Sequence, residues 1–189
     1  AQDDPVVAHL RQLLTQGVEM LLNTHHHGDH TGGNLVFRGQ VKRIVGHVNC
    51  LEWHRKTAAA ARAEGQTSFA DTTFTDSWKT SFGDETVHGR YYGAGHTSGD
   101  AVYHFEKANV VHMGDLLFNR AHPNIDRPAG ASVANWITVL DQIARAHGND
   151  TVFIAGHGKD NAVQCVKADV AHFRGYLSLC MDMAKKAIA

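Results

Sequence analysis

A single α/β domain is the fold class that this sequence predicts, on three observations. Its 189 residues with 43% hydrophobic content can bury one sizeable core and are few for two. Short apolar runs that end in polar, glycine-containing loops alternate with longer helical patterns in the first and last parts of the chain. Between them, over residues 69–113, the pattern changes to short alternating runs of strand type. No internal repeat or low-complexity linker divides the chain, so residues 1–189 are read as one domain.

Taken in order, Asp3-Asp4-Pro5 followed by Val6, Val7, Leu10, Leu13 and Leu14 predicts a capped amphipathic helix. Pro5 falls where no N–H is needed, and Gly17 stops the helix. Residues 18–23 predict a buried strand that opens into a loop over residues 24–33. A second buried strand is expected at 42–46, and a helix over 48–64, with its alanine run, stopped by Gly65. Residues 101–105 and 110–113, around Glu106-Lys107-Ala108-Asn109, predict a hairpin. Ser132 is expected to cap a helix running through His147. A strand should follow at 151–155, then helix over most of 162–186 with a break near Gly175.

Lys plus Arg total 18 against 19 Asp plus Glu. The net charge of -1 gives no long-range field that would draw nucleic acid or an acidic membrane. A small, fairly neutral molecule is the expected partner. Cys50, Cys165 and Cys180 are odd in number and widely spaced, which suits buried thiols rather than a disulfide framework. No stretch approaches the roughly 20 apolar residues of a membrane helix, and no basic start with an apolar run marks a signal peptide. A soluble protein is expected, with cytoplasm and periplasm both open as compartments.

Histidine is the unusual feature, with 15 residues. In Thr24-His25-His26-His27-Gly28-Asp29-His30, side chains alternate along the extended strand exit, so His25 and His27 fall on one side and His26 on the other. Asp29 and His30, where the chain turns into the next helix, can reach a second position beside the first. One loop thus offers four ligands of the types zinc prefers. Three further candidates follow predicted strands and stand beside glycine: His96 in Gly95-His96-Thr97, Asp115 in Gly114-Asp115, and His157 in Gly156-His157-Gly158. His9, His47, His54, His88, His104, His112, His147 and His172 have no second ligand near them in sequence and are read as ordinary. Asn119, Arg120 and His122 follow Asp115 closely in a loop. They are candidate substrate contacts, or a surface turn held by Pro123 and Pro128.

The ordered set resembles the metallo-β-lactamase superfamily, whose signature is His-x-His-x-Asp-His followed by a Gly-His, a Gly-Asp and a Gly-His. All of its metal positions are matched, over Val18 to about His157. The resemblance implies a four-layer αβ/βα sandwich. It assigns His25, His27 and His96 to a first metal, Asp29, His30 and His157 to a second, and Asp115 to a bridge, with Asp29, His30 and Asp115 nearest the chemistry. The family's sandwich opens with several strands before this signature, whereas 24 residues precede His25 here. The N-terminal part of the first sheet is therefore expected to be missing, leaving a truncated domain or an assembly of copies that covers the exposed edge.

Two Zn2+ with a bridging hydroxide imply hydrolysis of an ester, thioester, lactone, amide or phosphoester in a small molecule. Zinc β-lactamases usually lack the bridging aspartate, and glyoxalase II enzymes carry an added C-terminal helical region. Here about 30 residues follow His157. The resemblance therefore points away from a dedicated β-lactamase and from an orthodox glyoxalase II, and a weak, promiscuous β-lactamase stays open. The same ligands accept iron or manganese, which leaves an iron-dependent oxidoreductase or dioxygenase as the alternative. A metal-binding but idle module is the third reading.

Overall fold

The computed structural model describes residues 17–188. β1 (Met20–Leu22), β2 (Arg43–His47) and β3 (Thr72–Phe74) form a parallel sheet in that order. The short helix α1 (Gly28–Thr31) follows β1, and α2 (Val48–Ala60) follows β2 and lies against β2 and β3. Four of the five β2 residues are buried, the mark of a parallel strand covered on both faces. Among the described residues, β1 has a strand neighbour on one side only.

The second sheet runs in chain order through β4 (Ser77–Phe82), β5 (Glu85–Tyr91), β6 (Ala101–Phe105), β7 (Val110–Asn119), β8 (Val152–Gly158) and β9 (Gln164–Cys165). Its neighbours are antiparallel except β7 and β8. That parallel pair needs a crossover, and α3 (Val133–Ala146) supplies it. Val45, Phe74, Val87, Ala101 and Tyr103 fill the space between the sheets. The other face of the larger sheet takes α3 and the last helix, α4 (Lys167–Ile188). Helix, sheet, sheet, helix is the αβ/βα sandwich.

Trp136, Val139, Leu140 and Ile143 line one stripe of α3 at helical spacing, and all are fully buried. Ser132 caps this helix by accepting from the Asn135 N–H, as its sequence suggests. Trp136 also donates from Nε1 to the Leu116 carbonyl at 2.9 Å, which ties the helix to β7. Trp136→Ala is expected to cost about 3–5 kcal/mol, through the lost indole and the cavity it leaves. Urea unfolding followed by far-UV circular dichroism measures it, and a loss below about 1 kcal/mol would contradict this packing.

Several elements differ from expectation. The helix expected to begin at Asp3 lies outside the described residues. α2 ends at Ala60 rather than at Gly65, because Arg62 adopts a left-handed conformation (φ 53°) and a 3-10 turn follows. β7 and β8 continue past 113 and 155, since they pair with each other through Asn119 and Gly158 across two irregularities in register. Asp115 and His157 consequently lie within strands rather than after them. Residues 162–166 are not helical: β9 pairs with β8, which satisfies backbone groups that a helix would have satisfied internally. α4 then runs unbroken through Gly175, at a cost of only about 1 kcal/mol, since Val170, Phe173 and Leu177 keep it packed on the core. Cys50 and Cys165 are buried, but Cys180 is exposed, on turns of α4 that extend past the core.

Candidate metal centre

All seven expected ligands come together at one end of the two sheets. β1 leads straight into His25, Thr24 and Asn23 being buried behind it, and α1 lifts Asp29 and His30 on the next turn. His96 comes from the loop between β5 and β6, Asp115 from β7 and His157 from β8. Gly114 has φ +52°, and a Cβ there would stand 2.6 Å from Thr24, so only glycine lets β7 approach the His25 loop. A Cβ on Gly156 would overlap Asp115 Oδ1. That missing side chain is the space in which the carboxylate lies.

The first group is His25, His27, His96 and Asp115. His27 Nδ1 is 3.1 Å from His25 Nε2 and 3.0 Å from His96 Nε2. Asp115 Oδ2 stands 3.3 Å from His96 Nε2 and 3.8 Å from His25 Nε2. The second group is Asp29, His30 and His157, with separations of 3.2 Å from Asp29 Oδ2 to His157 Nε2 and 3.4 Å for the other two pairs. Tetrahedral donors at 2.0–2.1 Å from zinc are about 3.3 Å apart. The edges of the second group, and the shorter edges of the first, are close to those that a bound zinc ion would impose. Asp115 touches both: Oδ1 is 3.0 Å from His30 Nε2, and Oδ2 is 3.4 Å from His157 Nε2. Apart from that approach to His30, the buried Oδ1 has no hydrogen-bond partner. A ring of nitrogen donors and an under-used carboxylate oxygen fits a bound metal cation.

Burial disfavours charge on two histidines of the first group. It holds His25 well below the usual histidine range, aided by the neighbouring imidazoles, and brings His96 down to about 4. Burial also opposes charge on His30 and Asp115, but their mutual hydrogen bond and attraction win, so His30 is raised and Asp115 lowered. Neutral imidazoles and an ionised carboxylate are the forms that bind metal, and these are favoured at His25, His96 and Asp115, whereas His30 favours a proton that a cation would displace.

Outside the seven, three partners have no signal in the spacing of the sequence. Asp100 is buried and accepts from Gly95 N, Thr97 N and Thr97 Oγ1, which fixes the loop that carries His96. The Asn124 carbonyl accepts from His96 Nδ1 at 2.9 Å, and Asp126 Oδ2 is 2.8 Å from His27 Nε2. His26 turns away from the main cluster, as alternation requires, and stands 3.7 Å from Asp126. Asp126 could have been found only as a carboxylate in a loop between ligands.

The cleft over the cluster has a volume of about 550 Å³ and includes His122, Phe118 and Asn124 in its walls. His122 Nδ1 is 2.6 Å from the Tyr176 hydroxyl of α4. Asn119 is instead tied to the Ala162 carbonyl, and Arg120 lines an adjoining cavity with His172 and Tyr176. Of the three candidate substrate contacts, the structure brings His122 to the cleft.

Gly156→Ala is expected to lower zinc affinity at least about ten-fold by displacing the Asp115 carboxylate, in line with the effect of disturbing groups that hold a ligand. Competition with a chromogenic chelator measures it, and wild-type affinity in the variant would count against the packing.

The family model described as the metallo-β-lactamase superfamily matches residues 9–157. Among relatives, the chain is 26% identical over 137 residues to a type 2 metallo-β-lactamase of Bacillus cereus, an alignment covering 72% of this chain and 50% of that protein. It is 33% identical over 109 residues to a hydroxyacylglutathione hydrolase of Synechocystis, covering 56% of this chain and 37% of that one. The chain thus spans about half the length, or less, of these curated relatives. Among solved structures, a metallo-β-lactamase from Pontibacter korlensis superposes with a TM-score of 0.73 at 20% identity, covering 92% of this chain and 75% of the other. One from Hirschia baltica gives 0.69 at 18% identity, covering 91% and 73%. Fold, signature and family model agree, and this chain belongs to the metallo-β-lactamase superfamily.

Proposed function

We propose that this chain is a dinuclear zinc hydrolase acting on an ester, thioester, lactone or amide bond of a small molecule. The observation that carries the reading is Asp115, whose two carboxylate oxygens face two separate ligand groups with zinc-like edge lengths. His25, His27 and His96 would hold one ion and Asp29, His30 and His157 the other. Two zinc ions there would supply Lewis acidity and a water acidified to a pKa of about 7. The protein's part is to hold the donors in register and to keep the first group dry, as the burial of His25, His96 and Asp115 does. His122 would contact substrate from the cleft wall, held by Tyr176.

A small, near-neutral substrate suits the net charge of -1, and no nucleic-acid or membrane partner is proposed. No described helix is long and apolar enough to cross a membrane. A second copy covering the side of β1 that has no strand neighbour among the described residues is the proposed assembly.

The test is metal content per chain by elemental mass spectrometry, followed by a panel of ester, thioester, lactone and β-lactam substrates. About two zinc ions with turnover on one class supports the reading. Iron with oxygen consumption would replace it with the oxidoreductase alternative, and tight zinc without turnover would leave an idle metal module.

A further inference from the structure

We infer that Asp126 is a positioning residue, which holds the proton of His27 on Nε2 and so presents the Nδ1 lone pair to the metal cluster. The inference rests on the reading of that cluster as a metal centre, and concerns a residue outside it. A neutral imidazole carries one proton on two nitrogens. His27 Nδ1 faces His25 Nε2 and His96 Nε2 at 3.1 and 3.0 Å, while His27 Nε2 is 2.8 Å from Asp126 Oδ2. With the proton on Nε2, that N–H donates to the carboxylate and the lone pair faces the cluster. With the proton on Nδ1, a bare nitrogen would confront a carboxylate at 2.8 Å, and an N–H would crowd the other donors. Only the first arrangement is attractive at both ends.

Asp126 is itself held. Its Oδ1 accepts from the Ala129 N–H at 3.2 Å, and its carbonyl accepts from the N–H groups of Ala129 and Ala131. The carboxylate is thus fixed in a turn rather than carried on a free arm. The same loop supplies the Asn124 carbonyl that receives the His96 Nδ1 proton at 2.9 Å. One segment therefore sets the tautomer of two histidines in the first group. His26 adds to the arrangement: it is 4% exposed, its Nδ1 has no partner, and its Nε2 stands 3.7 Å from Asp126 Oδ2.

His26, His27 and Asp126 also lie close enough together to hold an ion of their own. Such an ion on His27 Nε2, with another on Nδ1, would need the ring stripped of both protons. The hydrogen-bonded carboxylate is the simpler occupant of that nitrogen.

The experiment compares the full chain with Asp126→Ala and Asp126→Asn, using zinc titration against a competing chelator and 15N–1H correlation of the histidine rings. The side-chain amide of D126N would still offer an oxygen to the His27 N–H. D126A is expected to bind zinc 10–100-fold more weakly in the first group while keeping two ions at saturation. D126N should recover most of that loss. The ring spectra should show His27 protonated on Nε2 in the wild type and in D126N, with or without metal, and that state lost in D126A. Should D126A fail to fold, D126N decides: the Nδ1–H tautomer with unchanged zinc affinity would overturn the inference. It is equally overturned by wild-type affinity in D126A, or by a third zinc in the wild type that D126A loses, which would make the carboxylate a ligand. Absence of zinc from the wild type would reject the metal centre, and the ring spectra would still test the tautomer.

Discussion

Asp115→Ala is expected to reduce kcat/KM by at least about 10³-fold and to leave fewer than two zinc ions per chain. Asp115 is the one carboxylate common to both ligand groups, and it is buried between them. Removing it leaves the first group with three imidazoles and no anion, and separates the two sites electrostatically. A 10³-fold loss corresponds to about 4 kcal/mol, within the several kcal/mol that paired metal ions contribute to such reactions. Asp115→Asn separates charge from size: the amide fills the same space beside Gly156 but cannot offer anionic oxygens to two ions. We expect it to resemble the alanine variant in activity while retaining more of the fold's stability. Elemental analysis and steady-state kinetics on the best substrate check both. Two zinc ions and activity within ten-fold of wild type in D115A would show that the centre does not depend on a bridge.

In the metal-free chain, stability is expected to fall steeply between about pH 6.5 and pH 4. Burial, with neighbouring His27, lowers His26 from 6.5 to about 4, and burial brings His96 to about 4 as well, against the opposing pull of Asp115. A histidine whose folded pKa is depressed contributes stability that is complete above its unfolded pKa and is lost as pH falls towards the folded one. Each shift of this size is worth about 3 kcal/mol at most, and two are a large fraction of a domain's 5–15 kcal/mol. His30 works the other way, since its raised pKa means that protonation is tolerated in the fold. Zinc should shift the whole curve upwards by mass action, and acid should remove that gain too because protons compete for the same nitrogens. Urea unfolding with chelator present, at pH 7.5, 6 and 5, measures the effect. A midpoint that does not move over that range would contradict the burial of neutral imidazoles.

Local chemistry in the sequence was enough for the parts of this protein that depend on neighbours along the chain. The period-two alternation that separates His25 and His27 from His26 and the Ser132 cap of α3 both reappear in the structure. The order of the Gly-His, Gly-Asp and Gly-His motifs, through the family resemblance, foretold the sandwich as well. What depends on partners distant in sequence was settled only by the tertiary structure. Residues 162–166 read as helix until β8 supplies an edge for β9 to pair with. Asn119 belongs with Ala162 and His122 with Tyr176, pairings that no spacing encodes. Asp126 reaches His27 across 99 positions of sequence, and with it comes the choice of which ring nitrogen faces the cluster. A side chain's residue type states what it can bind. Whether its proton, lone pair or charge is aimed at a partner depends on packing that brings distant loops within 3 Å of each other, and that information resides in the assembled layers.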